Sequence, residues 1–409
     1  MSAPKHAPMN DWPVFEGGLV VGGVPLTRLA RRIGHTPFYA YDRGLIDKRI
    51  AHLRQHLPDS VKLHYAIKAN PLPALVCHIA RRVDGLDVAS AGELSIALDA
   101  GMNPAEISFA GPGKSAAELE QAVAAGILIN VESFREVEIL HGVSRESDLA
   151  ARVAVRVNPE FELKSSGMKM GGGAKQFGVD AAEVPKLLAR IDACGLAFEG
   201  FHIFTGSQNL RAEAICEAQT KAFELALQLA AAAPGPVRTL NIGGGFGIPY
   251  FPGDEPLDIS SIGANLYSIV AQARERLPQA QLVVELGRYV VGEAGIYVSR
   301  VIDRKVSRGQ VFLVTDGGMH HHLAASGNFG QIIRKNYPVM IGNRMQSSER
   351  ERASVVGPLC TPLDLLADQM ELAAAQPGDL VVVFQSGAYG YTASPTAFLS
   401  HPAAIEALV

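Results

Sequence analysis

The stretch VKLHYAIKANPLPALVCHIARRVDGLDV (61–88) decides the fold. It opens on an apolar run rich in β-branched and aromatic residues (61–68). A helical pattern follows (71–83), then a second short apolar run, GLDV (85–88). Strand, helix and strand in so short a span read as one βαβ unit, whose strands are parallel. Within 61–68 the odd residues Val61, Leu63, Tyr65 and Ile67 are apolar, as a face under helices should be. The even residues Lys62, His64, Ala66 and Lys68 face the other way.

Outward from this unit the pattern repeats. Further strand candidates are EISFAG (106–111), ILINV (127–131), ARVAVRV (151–157), AFEGFHIF (197–204), VRTLNI (237–242) and QLVVEL (281–286), eight in all. Helical stretches such as 90–101, 115–126, 180–191 and 211–233 lie between them, with apolar residues at three- and four-residue spacing. Eight βα units in roughly 250 residues are what a (β/α)8 TIM barrel requires, so the fold class is α/β. After 290 the pattern changes. IYVSRVIDRKV (296–306), GQVFLVTDG (309–317), ASVVGPLC (353–360) and GDLVVVFQSG (378–387) are β-rich and joined by turns. They predict a mostly antiparallel C-terminal β domain. The hairpin-like GGLVVGG (17–23) is expected to pair with that sheet. The expected division is a barrel over 43–290 and a β domain built from 1–42 and 291–409. The Gly-rich stretch GMKMGGGAKQFG (167–178) reads as a loop, and as a flap over the barrel mouth.

Composition narrows the function. The chain has 409 residues, 48% hydrophobic and 19% charged, which excludes disorder. Its formal net charge of −4 carries no basic surplus and points away from nucleic acid. Four cysteines, Cys77, Cys194, Cys216 and Cys360, show no C-x-x-C spacing. That excludes a disulfide framework or a readable zinc module and fits a cytoplasmic protein. No apolar run reaches the roughly 18 residues of a membrane span, and the start MSAPKHAPMNDWPVF lacks a signal-peptide core.

Three features carry chemistry. Lys68 ends an inward barrel face, where a desolvated lysine forms a Schiff base; a surface lysine at a strand end is the plainer alternative. NIGGGFGIPY (241–250) lacks the third glycine of a dinucleotide fingerprint, since position 248 is Ile. Its three adjacent glycines suit an anion after a seventh barrel strand, where phosphate sites cluster; a tight turn is the alternative. Glu285 at the end of the eighth strand, with Arg288 three residues on, suits a cofactor ring nitrogen and a phosphate, or a structural ion pair.

This set resembles the fold-type III pyridoxal-phosphate-dependent decarboxylases, the ornithine and diaminopimelate decarboxylase family. The resemblance spans nearly the whole chain through HYAIKANP (64–71), DVASAGEL (87–94), FAGPGKS (109–115), RVNP (156–159), GSQ (206–208), NIGGGFG (241–247), ELGR (285–288), TDGG (315–318), VVGPLC (355–360) and GAYG (387–390). It implies pyridoxal 5'-phosphate as cofactor, held covalently by Lys68. It implies Glu285 at the pyridine nitrogen, and Ser207, Gly243, Gly244, Gly245, Arg288 and Tyr389 at the phosphate. Asp87 and Arg156 would line the ring side. Cys360 would come from the partner subunit of a homodimer and protonate or orient the carbanion left when CO2 departs.

The departures are informative. Where the family stacks a histidine on the ring, FHIFTGSQ (201–208) has Phe204, which takes that role here; His202 is kept as a pocket residue. Relatives acting on basic substrates place an acidic residue directly after the cysteine. Here Thr361 and Pro362 follow, and MHHHLAAS (319–326) replaces an arginine-bearing segment. Thr361, His320 and His321 are therefore the candidates facing the substrate. In a strand only two of His320, His321 and His322 would share a face, and no carboxylate has ligand spacing, so no metal is expected. The stretches 167–180, 200–214, 318–331 and 393–402 resemble the exosortase A system-associated branch, and decarboxylases whose amino-acid substrate is tethered to a carrier protein. The resemblance thus implies decarboxylation of an L-amino acid or a carrier-linked derivative. A diaminopimelate decarboxylase, an amino-acid racemase and a non-catalytic cofactor-binding regulator are the alternatives.

Overall fold

Eight short parallel strands close on themselves: Lys62–Ala66, Gly85–Val88, Ile107–Phe109, Leu128–Val131, Arg152–Asn158, Ala197–His202, Thr239–Gly244 and Gln281–Leu286. Each pairs with the next, and the eighth pairs back on the first, Glu285 opposite His64, so the barrel has no edge. The computed structural model describes residues 4–161, 168–169, 171–329, 331 and 334–409.

Helices lie between the strands and start where the sequence offers caps. Ser90 accepts the Glu93 N–H at the start of Ala91–Asp99, and Ser115 forms a reciprocal capping box with Glu118. Ser133 accepts the Glu136 N–H at the start of Phe134–Ser147. Because helices cover the outside and side chains fill the inside, both faces of the strands are buried: every residue of Gly85–Val88 and of Ile107–Phe109 is. The even-numbered face of the first strand accordingly points into the barrel. His64 is buried inside and meets Asp87 of the second strand.

The chain divides into two compact units. One holds Arg49–Gly247 and Leu257–Gly287; the other holds residues up to Lys48, Ile248–Pro256 and Arg288–Val409. In the second, the long strand Gly295–Ser307 pairs antiparallel with Phe38–Tyr41, Gln310–Thr315 and Leu380–Val383. Arg350–Val356 runs parallel to Gln310–Thr315 and antiparallel to Leu365–Ala373. The sheet is thus mostly antiparallel with parallel pairings inserted. Leu26, Leu29, Phe38, Ile296, Val298, Val382 and Phe384 form its core.

Two expectations are corrected here. GGLVVGG does not enter the C-terminal sheet. Gly17, Gly22 and Gly23 all have positive φ, and the tight turns they permit fold the segment on itself as Val14–Phe15, Gly18–Val21 and Val24–Pro25. The N-terminal contribution to the sheet is Phe38–Tyr41 instead. The His320–His322 run is a turn rather than a strand, and all three rings are buried. Among the described residues, no helix is long and apolar enough to cross a membrane.

Candidate active site

In the barrel unit, Lys68 is not on the first strand, which ends at Ala66. It sits in a single 3-10 turn, Ile67–Ala69. The turn is closed by the Asn70 N–H on Ile67 O at 2.9 Å, and the Tyr65 hydroxyl donates to Asn70 O at 3.0 Å. Its neighbours Ile67, Ala69 and Asn70 are buried, so the turn pushes the lysine alone into the open, where 42% of its side chain is exposed. The ammonium lies 3.9 Å from Glu285 Oε1 and 5.8 Å from the centre of the Phe204 ring.

Glu285 is buried at the end of the eighth strand. His202 Nε2 lies 3.0 Å from its Oε2, and Asn241 Nδ2 donates to the same oxygen at 3.2 Å. Burial alone would raise the carboxyl. The His202 contact and the positive charges of Lys68 and Arg156 outweigh it and hold Glu285 well below the usual carboxylate range. His202 Nδ1 is buried with no hydrogen-bond partner among the described residues. Phe204 is buried, and its ring packs against Gly243. The structure thus brings Lys68, Glu285, His202 and Phe204 together at one end of the barrel.

The glycine run is shaped by close approach. Gly243 and Gly245 have φ of +73° and +74°, where side chains are strained. A Cβ on Gly244 would come 2.1 Å from Glu285 O, and one on Gly245 would come 2.2 Å from Gly206 O. The run is stitched to the segment after the sixth strand by Asn209 N–H on Gly245 O at 3.0 Å and Gly247 N–H on Asn209 O at 2.8 Å. Beside it the Ser207 hydroxyl is buried with no partner among the described residues. An orphaned hydroxyl against a glycine cradle, an exposed lysine, a flat aromatic ring and a buried anionic carboxylate together fit pyridoxal phosphate.

Asp87 and Arg156 are each held by partners that no local motif announced. Asp87 Oδ1 meets His64 Nδ1 at 3.0 Å and accepts the Ser108 hydroxyl at 2.6 Å, while Oδ2 is buried with no hydrogen-bond partner among the described residues. Burial would lower the His64 imidazole, but the adjacent Asp87 charge and hydrogen bond raise it on balance. Arg156 donates to Glu132 Oε1 at 2.8 Å and stacks over Phe177 at 4.9 Å. Glu132 also accepts the N–H groups of Gly111 at 2.6 Å and Gly178 at 2.9 Å, so one carboxylate ties the fifth strand to the end of the Gly-rich loop. The flap expected over 167–178 falls partly outside the described residues, at 167 and 170. Of its described part, Met168–Lys169 pairs with Gly206–Ser207. Sequence reading missed His64, Ser108, Glu132 and Asn241 because their partners are far along the chain.

The second unit carries the other candidates. The Arg288 guanidinium stacks over Tyr389 at 4.6 Å and over Tyr250 at 5.3 Å, and donates to the Tyr250 hydroxyl at 2.8 Å. Tyr250 ends the NIGGGFGIPY stretch but was not singled out. Cys360 is exposed, and Thr361 Oγ1 accepts the Leu363 N–H at 3.3 Å. His321 is tied inward: Nε2 meets Pro402 O at 2.8 Å, and its carbonyl accepts the Tyr39 hydroxyl at 2.7 Å. The His320 ring lies tilted against that of His321, centroids 3.7 Å apart, and both its nitrogens are buried without hydrogen-bond partners among the described residues. Burial, with His321 and His401 close by, pushes the His320 imidazole down to about 3.

Residues 43–292 match the family described as "Pyridoxal-dependent decarboxylase, pyridoxal binding domain". The chain is 39% identical to the L-glutamyl-(BtrI acyl-carrier protein) decarboxylase of Niallia circulans, over 94% of this chain and 90% of that protein. It is 33% identical to the diaminopimelate decarboxylase of Aquifex aeolicus (strain VF5), covering 96% and 91%. Its fold matches the crystal structure of Helicobacter pylori diaminopimelate decarboxylase complexed with L-lysine with a TM-score of 0.81, at 28% identity and 94% coverage of each chain.

Proposed function

The chain belongs to the pyridoxal-dependent decarboxylases, and we propose that within this family it decarboxylates an amino acid tethered to a carrier protein rather than a free diamino acid. The observation that carries this is the neutral surface around the candidate substrate segments. Thr361 and Pro362, not a carboxylate, follow Cys360, and His320 and His321 are buried with imidazoles lowered by burial. Among the described residues of the two turns, 318–323 and 357–364, the one charged side chain is Asp364, which is buried and turned to backbone N–H groups rather than outward. A substrate whose far end is a thioester needs no charged partner there. The relative named as an acyl-carrier-protein glutamyl decarboxylase supports the same reading.

Pyridoxal phosphate, when bound, accepts the electrons released as CO2 leaves. The chain's residues bind and orient. Lys68 supplies the amine that anchors the cofactor. Glu285, kept anionic by its surroundings, stabilises a proton on the ring nitrogen. Phe204 offers the flat contact to the ring, with His202 fixing the Glu285 carboxylate from the same strand side. By the family resemblance, Ser207, Gly243, Gly244, Gly245, Arg288 and Tyr389 would hold the phosphate, and Asp87 and Arg156 would take the ring side. Cys360, reaching the barrel of a second copy in a homodimer, returns or directs the proton at Cα. Thr361 lines the same approach. The setting is cytoplasmic, in the exosortase-associated branch.

The test is CO2 release from free and carrier-linked amino acids. Turnover of carrier-linked aminoacyl thioesters, with free diaminopimelate slower by at least about 10²-fold, is expected. Equal or better turnover of free diaminopimelate refutes the tethered substrate.

A further inference from the structure

We propose that Asp364 is a positioning residue, its buried carboxylate clamping the turn that carries Cys360 to the turn that carries His320 and His321. Oδ1 accepts the Met319 N–H at 2.6 Å, and Oδ2 accepts the Leu359 N–H at 2.8 Å. Each donor immediately precedes one of these side chains, His320 and Cys360. Backbone bonds close the same loop: Gly357 N–H on Asp364 O at 3.0 Å, and Asp364 N–H on Thr361 O at 3.3 Å. The carboxylate is 3% exposed while Cys360 is open, so the loop has a fixed root and a free tip.

The seat is built for this group. A Cβ on Gly318 would come 2.1 Å from Asp364 Oδ1, and one on Gly357 would come 2.2 Å from Oδ2. Neither glycine has positive φ, so what those positions require is space, not an unusual backbone. Two backbone N–H donors satisfy a carboxylate with one bond per oxygen. An asparagine of the same shape has one acceptor oxygen, and its NH2 must then face one of the two N–H groups. Asp364→Asn therefore opens one side of the clamp without emptying the seat.

The role rests on the reading that Cys360 works at the substrate Cα. Misplacing a reacting group by about 1 Å costs on the order of 10²-fold in rate. In the cofactor-loaded enzyme, Asp364→Asn is expected to lower kcat about 10²-fold with KM within about twofold, the mark of an interaction made in the transition state. Amide hydrogen exchange should quicken in the segments around Met319 and Leu359 and stay unchanged in the barrel strands. Unchanged exchange in both segments overturns the clamp. Faster exchange with kcat intact overturns the positioning role. Should Asp364→Asn fail to fold, Gly318→Ala displaces the same carboxylate, and native exchange around Leu359 in that variant overturns the clamp. Cys360→Ala separates the two claims. Intact kcat there sinks the reading of Cys360, while the exchange data still decide whether Asp364 holds the turns.

Discussion

Acidification tests how the β unit holds its buried histidines, and His322 gives the cleanest case. Its Nδ1 accepts the Ala325 N–H at 3.2 Å, and its Nε2 meets the Ser386 hydroxyl at 2.9 Å. The ring is fully buried, with Tyr39, Tyr297 and Tyr337 around it at 5.6–5.7 Å. A second proton would have to sit on Nδ1, facing the Ala325 N–H, in an apolar surround. Burial accordingly pushes the imidazole from 6.5 down to about 3. The folded state thus refuses a proton that the unfolded chain takes below 6.5. Stability is intact above that pH and is lost as pH falls toward about 3, at about 1.4 kcal/mol per pH unit for this one group. Between pH 7.5 and 4.5 the loss integrates to about 3 kcal/mol. Other groups titrate in the same window, so the comparison is with His322→Gln, which removes the titrating ring. Urea unfolding of both proteins at pH 7.5 and 4.5 should show wild type losing about 3 kcal/mol more than the variant. Equal losses in the two proteins would refute the argument.

Two predictions concern the cofactor. Lys68→Ala should abolish borohydride-trappable pyridoxal phosphate and lower turnover by at least about 10³-fold, with the fold unchanged by circular dichroism; a trapped adduct in that variant would place the anchor elsewhere. Ser207→Ala removes the orphaned buried hydroxyl, and a hydrogen bond to a charged group contributes about 1.5–3 kcal/mol. Pyridoxal phosphate should therefore dissociate about 10- to 100-fold more readily, seen as a shifted titration of the apo form.

Much of the barrel was legible because it rests on local signals. Alternating strand and helix patterns, Ser caps and glycine turns act over a few residues, and they announce eight parallel strands before any contact is known. GLDV (85–88) and QLVVEL (281–286) match their strands in length. Lys68, Glu285 and the glycine run also stood out, since each lies at or just past the carboxyl end of a barrel strand. Other details turned on contacts that the strand and helix periodicity does not show. Lys68 left the strand for a turn because Tyr65 and Asn70 close the backbone there. GGLVVGG forms its own small sheet because its glycines turn it back, and it meets the larger sheet through the Leu19 N–H on Gly342 O at 2.7 Å rather than as a strand of it.

The amino-acid sequence by itself determined the element order, the barrel and the identity of the residues with reactive side chains, because periodicity, caps and turn residues act at short range. Only the tertiary structure decided which of those residues are charged, orphaned or restrained. Glu285 is held anionic by His202, which lies in another strand; Arg156 is aimed by Glu132; and the turn bearing Cys360 is rooted in Asp364. These properties belong to pairs brought together by folding, and the dielectric and geometry that set them exist only once the chain has closed around them.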